Sequence, residues 1–190
     1  MRYSDNALMS ASVFMSFVHE DVKPATAVKN LIQTALKLPD VFMSSDRSQV
    51  FAGEIWLEKI KVSLIEAKVV VLMLSNRSAN RPWVNFEAGA AWLRNTPIIP
   101  CCIGRLDKDA LAHPYSAMQA LNLPADVDYL LTSVHYHLRL ETPSPPPEIV
   151  RTLLKEKAAK ETPAALQAIL DLVDPYRSLS ESLAAWTDLP

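Results

Sequence analysis

The chain has 190 residues, of which 49% are hydrophobic and 21% charged, and this composition is typical of a globular protein with one sizeable core. A formal net charge of −2 provides no basic surface, which argues against nucleic acid or an anionic membrane as the partner and favours small molecules or proteins. No apolar run is long enough to cross a bilayer and no signal-peptide cleavage site follows the N-terminus, so we expect a cytoplasmic protein. The adjacent Cys101 and Cys102 suit buried thiols in a reducing compartment better than a disulfide or a zinc site.

Four short apolar runs predict strands that are buried on both faces, because their hydrophobic residues are continuous rather than alternating. They cover residues 12–17, 41–43, 69–74 and 98–103. Between them, apolar residues at helical spacing predict helices over 24–38, 54–66 and 82–94, the last with an inner face of Phe86, Ala90 and Leu93. A fifth strand within 116–123 and a helix over 124–138 follow. This alternation predicts an α/β fold with a parallel sheet and helices on both faces.

The C-terminal quarter has a different composition. Residues 141–147 are rich in proline and predict a stiff, extended linker. Beyond it, short helical patterns separated by proline or polar residues predict a helical tail over 148–190. We therefore divide the chain into a domain over 11–140, the linker and the tail. The sequence leaves open whether the tail packs on the domain or serves a partner.

Several common sites are excluded by the residues that the chain lacks. It contains three glycines, Gly53, Gly89 and Gly104, so neither a dinucleotide-binding fingerprint nor a Walker phosphate loop can be formed. There is no G-x-S-x-G motif for a hydrolase nucleophile. The four histidines have no metal-ligand spacing, and we expect no metal and no bound cofactor.

Polar segments follow the first three predicted strands, at the edge where an open parallel sheet binds ligands. They are "SFVHED" at 16–21, "SSDRSQVFAGEIW" at 44–56 and "SNRSANRPW" at 75–83. Glu87 lies about one helical turn into the next helix, on the same side as Trp83, because residues four apart share a helix face. These segments predict a ligand site.

Each of these residues also has a structural interpretation. An acid near a helix start favours the helix dipole, Asp21 suits a helix cap, and serines at strand ends satisfy backbone groups. The segment "EAGAA" at 87–91 would let the helix approach the sheet closely. Trp92 offers no separate motif.

Taken together, the segments resemble the Toll/interleukin-1 receptor (TIR) domain, in particular its bacterial NAD-cleaving type, over residues 11–138. "VFMSFVHED" resembles the family's opening box through Ser16, Phe17 and Asp21. "GEIWLEKIKVSLIEAKVVVLMLS" resembles the segment from the end of the family's BB loop onward, with Gly53 and Trp56 in the expected places. "SNRSANRPWVNFE" resembles the serine-rich loop followed by the Trp and Glu that mark NAD-cleaving members.

The resemblance implies a flavodoxin-like sheet of about five strands and an NAD+ glycohydrolase or cyclase in bacterial antiphage immunity. NAD would be the substrate and not a cofactor, and the products would be nicotinamide and ADP-ribose or a cyclic isomer. Glu87 would be the catalytic residue, kept ionised by the nearby helix start, and would stabilise positive charge on the ribose. The implied substrate-binding residues are Phe17, Trp83, Trp56, Ser16, Asp21, Arg47 and Ser75. Those implied for the assembly loop are Ser44, Asp46 and Gly53.

Membership of the family also suggests activation by TIR–TIR self-association, with loop 44–53 of one copy completing the cleft of the next, and an upstream sensor or downstream effector as a further partner. Val18 and His19 replace the Arg-Gly of the plant-type "SFRGED" box, which leaves the preferred substrate and the product open. Two other functions are compatible with the motifs. One is a non-catalytic TIR adaptor, since a fold does not imply catalysis. The other is a sensor that binds NAD without turnover.

Overall fold

The computed structural model describes residues 12–44 and 56–141, with the side chain of Trp56 excluded. Asp46, Arg47 and Gly53 lie outside the described residues, as do the linker beyond Glu141 and the predicted tail. What the sequence predicts for them stays a prediction.

The five strands form one parallel sheet, as predicted. They are β1 (Val13–Ser16), β2 (Phe42–Met43), β3 (Val69–Leu74), β4 (Ile98–Cys102) and β5 (Leu121–Asn122), in the order β2-β1-β3-β4-β5. The described residues also form the α-helices α1 (Val22–Leu36), α2 (Trp56–Glu66), α3 (Pro82–Leu93) and α4 (Val127–Leu138). This is the flavodoxin-like strand order of a doubly wound α/β fold. None of the described helices has the length and apolar character that a bilayer crossing requires.

Two apolar cores cover the two faces of the sheet. Alternate residues of each strand point to opposite faces, so Val13 and Met15 enter the core shared with α1 and α4, whereas Phe14 enters the core shared with α2 and α3. All six residues of β3 are buried, as a continuous apolar run predicts for a central strand.

The order of the strands places a crevice above β1 and β3. The chain crosses from β1 to β2 on one side and later adds β3 on the other, so the loops that follow these strands separate at their carboxyl ends. Ser16 is the last residue of β1, and Ser44 directly follows β2, where its backbone N–H donates to the Met15 carbonyl at 2.9 Å. These two serines therefore lie side by side at the edge where ligands bind in such sheets.

The predicted inner face of α3 is wrong. Phe86 and Leu93 are 59% and 77% exposed, and the buried residues of the helix are instead Val84, Glu87, Ala88 and Ala91. The helix is apolar on nearly every side, so hydrophobic periodicity does not distinguish its inner face. Small residues allow α3 to lie close to the sheet.

Gly89 does not have the packing role that the segment "EAGAA" suggested. Ala88 and Ala91 meet the core, but Gly89 is half-buried and a Cβ added to it would meet no atom within 4 Å. Its small size therefore leaves open space beside the helix.

Two glycine substitutions are expected to have opposite effects on stability. Gly89→Ala should raise the free energy of unfolding by about 1 kcal/mol, because alanine is the better helix former and the site has room for a methyl group. Gly104→Ala also meets open space, but its φ of +67° strains an L residue, so a loss of about 1 kcal/mol is expected. Urea unfolding of both variants measures the difference, and changes of the same sign would contradict this account.

Candidate functional site

Trp83 and Glu87 form a hydrogen-bonded pair on α3. Pro82 occupies the start of the helix, where its fixed φ suits the first turn. One turn later the indole Nε1–H of Trp83 donates to Glu87 Oε1 at 2.8 Å. The Glu87 residue is fully buried, whereas Trp83 is half-buried and stacks on Phe86 with ring centroids 5.4 Å apart. The predicted shared face is confirmed, and the bond leaves the second carboxyl oxygen, Oε2, for another partner.

Three buried polar atoms lie around this pair. They are Glu87 Oε2 and the hydroxyls of Ser16 and Ser44, and none has a partner among the described residues. All three residues are 0% exposed. Both hydroxyls lie close enough to the carboxyl group to lower its pKa, but neither meets the geometry of a hydrogen bond to Oε2. An unsatisfied buried polar atom typically costs about 1 to 3 kcal/mol, so such atoms in one place indicate a site built for a ligand or ordered water.

Burial raises the pKa of Glu87 to about 7, against an ordinary value of 4.5. The hydrogen bond from Trp83 and the nearby hydroxyls of Ser16 and Ser44 oppose this rise without cancelling it. Burial therefore outweighs any help that the helix start gives in keeping Glu87 ionised, since the residue lies in the second turn, where the effect of the dipole has fallen off. Near neutral pH the carboxyl group is about half protonated, as suits a group that changes charge on binding.

Asp21 and Ser75 contact each other across the crevice. The Ser75 hydroxyl donates to Asp21 Oδ2 at 2.6 Å, and the Asp21 residue is only 7% exposed. Asp21 precedes α1 but its side chain makes no cap hydrogen bond, so the capping interpretation is wrong. The bond joins the loop after β1 to the loop after β3. A direct role of either residue in substrate binding stays a prediction.

Ser78 has a structural role in the serine-rich loop. Its hydroxyl accepts from the Ser75 backbone N–H at 2.7 Å and donates to the Met73 carbonyl at 3.2 Å. Nearby, Arg81 and Glu20 form an ion pair at 3.1 Å on the surface, where such pairs contribute little to stability. The loop that carries α3 is thus fixed mainly by buried serine hydrogen bonds.

Phe17 belongs to the apolar core on the α1 side of the sheet. Its residue is 1% exposed and belongs to the core on the α1 and α4 face, whereas α3 covers the opposite face. Its assignment to the nicotinamide end of the substrate stays a prediction. Ser44, by contrast, was predicted to serve assembly and lies beside Glu87, which sequence distance alone does not reveal.

A second concavity lies on the other flank of α3, and the sequence did not predict it. This groove has a volume of about 590 Å³ and runs between α3 and the segment 106–118. Its lining includes Asn85, Gly89 and Trp92 from the helix. The sequence signal was a mid-helix glycine with a tryptophan three residues later, which share a flank.

The comparisons with known proteins agree with this architecture. The family model described as "TIR domain" matches residues 13–130. Among solved structures, a metazoan TIR-STING receptor from C. gigas in complex with 2',3'-cGAMP is similar with a TM-score of 0.52 and 17% sequence identity. The similarity covers 65% of this chain and 39% of the receptor, so it shows a shared fold over part of that protein. No curated protein sequence matches the chain.

The raised pKa of Glu87 predicts a pH-dependent stability. Between pH 4.5 and about 7 the folded protein binds more protons at Glu87 than the unfolded chain does, so the free energy of unfolding falls as pH rises through this window. The contribution is on the order of 3 kcal/mol. In Glu87→Gln this part of the pH dependence is absent. Urea unfolding of both proteins across the window measures it, and parallel profiles would refute the assignment.

Two buried serines provide a matched pair of substitutions. Ser16→Ala removes a hydroxyl that has no well-formed hydrogen bond among the described residues, so the free energy of unfolding should change by less than about 1 kcal/mol. Ser78→Ala removes a hydroxyl with two backbone partners and should lower it by about 1 to 3 kcal/mol. Only Ser16→Ala should raise the pKa of Glu87, measured by NMR titration. Equal losses of stability would show that Ser16 is structural.

Proposed function

Because the chain belongs to the TIR domain family, we propose that it cleaves NAD+ at the bond between nicotinamide and ribose. The observation that carries this proposal is the buried Glu87, whose Oε1 is held by Trp83 while Oε2 has no partner among the described residues. A fixed carboxylate in a desolvated crevice is suited to stabilise positive charge that develops on a bound substrate.

The chemistry requires one carboxylate. When the bond between the nicotinamide nitrogen and the ribose C1′ breaks, its electron pair goes to the nitrogen, and the cationic pyridinium leaves as neutral nicotinamide. The leaving group therefore needs no proton from a general acid, in contrast to ordinary glycosides, whose hydrolysis uses two carboxylates. Water that adds to C1′ and loses a proton gives ADP-ribose, and attack by an adenine nitrogen gives a cyclic isomer.

The pKa of Glu87 fits this role. Only the ionised carboxylate stabilises the ribose cation, and a pKa of about 7 leaves part of the free protein protonated at neutral pH. A bound pyridinium cation favours the ionised form and lowers the pKa. Substrate binding and ionisation of Glu87 therefore promote each other.

Ser16 and Ser44 complete the proposed ribose site. Their hydroxyls and Glu87 Oε2 are buried without a well-formed hydrogen bond among the described residues, and a ribose diol offers donors and acceptors to all of them. We assign Ser44 a substrate contact in addition to its expected place in the assembly loop. The free-energy penalty of the three unpaired atoms would be relieved when substrate binds.

Self-association and a place in bacterial antiphage immunity are further parts of the proposal, and they rest on the family alone. The adaptor function remains the second candidate. It is favoured by large apolar side chains exposed on α2 and α3, including Leu57, Val62, Phe86 and Leu93.

The first experiment is nicotinamide release from NAD+ by the full chain at high protein concentration, with a crowding agent to promote assembly. We expect Glu87→Gln to lower the rate at least about 100-fold, because the variant keeps an acceptor for Trp83 but loses the charge. Glu66→Gln is the matched control, since it removes an exposed acid at the end of α2 and should leave the rate unchanged.

Three other outcomes would reject catalysis by Glu87. Equal rates for native protein and Glu87→Gln would place the chemistry elsewhere. No release despite assembly, seen by light scattering, would support the adaptor. Saturable NAD+ binding without release would support the sensor.

A further inference from the structure

The groove on the far flank of α3 is a second site with its own chemistry. It is lined on one side by Asn85, Gly89 and Trp92 of α3 and on the other by Leu106, Leu111 and Tyr115. Its volume of about 590 Å³ lies within the range of small-molecule sites. Glu87 and Trp83 are not among its lining residues, so it is separate from the crevice above β1 and β3.

The groove is already formed in the free protein. The Tyr115 hydroxyl donates to Asn85 Oδ1 at 2.6 Å and joins the two walls. The Tyr115 residue is only 4% exposed, and burial raises the pKa of its phenol, which therefore stays protonated as a donor. Because this hydrogen bond already fixes the wall, ligand binding does not carry the entropic cost of ordering it.

The lining combines flat apolar surfaces with neutral polar groups. Trp92 is 66% exposed, so its indole offers a ring face for stacking. Asn76 and Asn80 add exposed amides, each with a donor and an acceptor. None of the described lining residues is Asp, Glu, Lys or Arg. Apart from the Tyr115 phenol, the one ionisable side chain in the described lining is His113. The groove therefore suits an uncharged aromatic ligand and offers no Lys or Arg for a phosphate group.

Gly89 provides independent support for a ligand in the groove. Glycine in a helix interior costs about 1 kcal/mol relative to alanine. No packing contact explains it here, because an added Cβ would meet no atom within 4 Å. The residue lies on the groove side of α3, where any larger side chain would project into the cavity.

We propose that this groove binds an uncharged nucleoside, with the base stacked on Trp92 and read by the asparagine amides. Asparagine pairs with two adjacent edge atoms of adenine, which makes adenosine the probe of choice. Binding here does not depend on the proposed NAD+ cleavage. A consequence that does rest on it is regulation: Gly89 lies two residues after Glu87 on the same helix, so an occupied groove should alter nicotinamide release.

The test is calorimetric titration of adenosine into the full chain carrying Glu87→Gln, so that the measured binding is independent of the proposed catalytic carboxylate. We expect saturable binding with a Kd between about 10 μM and 1 mM. Gly89→Leu, which fills the cavity, and Trp92→Ala, which removes the stacking surface, should each weaken binding at least about tenfold. Leu93→Ala is the matched control, since it is the exposed neighbour of Trp92 outside the lining, and its Kd should stay within about twofold.

The result that would overturn the proposal is an absence of saturable adenosine binding, or a Kd that Gly89→Leu leaves unchanged. AMP that binds more than about tenfold tighter than adenosine would also overturn it, because phosphate would then be the recognised group. Loss of self-association in Gly89→Leu, without any adenosine binding by the parent, would show that a second copy of the chain fills the groove. Failure of NAD+ cleavage leaves the titration unaffected, so the two proposals can fail separately.

Discussion

The architecture of the site depends on the buried carboxyl group of Glu87, of which one oxygen accepts from Trp83 and the other has no well-formed hydrogen bond among the described residues. Desolvation disfavours the charged form of Glu87, and the Trp83 indole compensates for this only in part. Such an arrangement persists only if the helix that carries it is firmly held. Val84, Ala88 and Ala91 hold it, because they are buried against the sheet on the neighbouring side of α3.

The same helix carries two chemically different flanks. One flank meets the strand ends, where Ser16 and Ser44 add hydroxyls to the carboxyl group, and the other borders the neutral groove through Gly89 and Trp92. Because both flanks contain apolar or small residues, the helix lacks the polar outer stripe of an ordinary surface helix. The crevice on one flank and the groove on the other explain the composition of α3, and full burial in a core does not.

The strands and helices and the pairing of Trp83 with Glu87 could be predicted from the sequence, since they depend on contiguous apolar runs and on spacing within one helix. The sequence was insufficient where the outcome depends on distant segments. Ser44 reaches Glu87 only because β2 pairs with β1, and the protonation of Glu87 follows from burial by residues far along the chain. The prediction of the inner face of α3 was wrong for a local reason. In a helix that is apolar on nearly every side, the hydrophobic pattern does not indicate which side faces the core.

The loops at the crevice are held by well-formed hydrogen bonds. Ser75 donates to Asp21 at 2.6 Å, and Ser78 fastens the same loop to the end of β3, whereas Ser16, Ser44 and Glu87 Oε2 have no partner among the described residues. Among the described residues, hydrogen bonding is thus complete at the margins of the crevice and incomplete at its centre. Stability alone would favour unpaired polar atoms at the solvated margin and paired ones in the buried centre, because unpaired polar atoms are most destabilising where water is excluded. The unpaired atoms are the ones that a ligand can satisfy, and the rigid margins keep them in place until it binds.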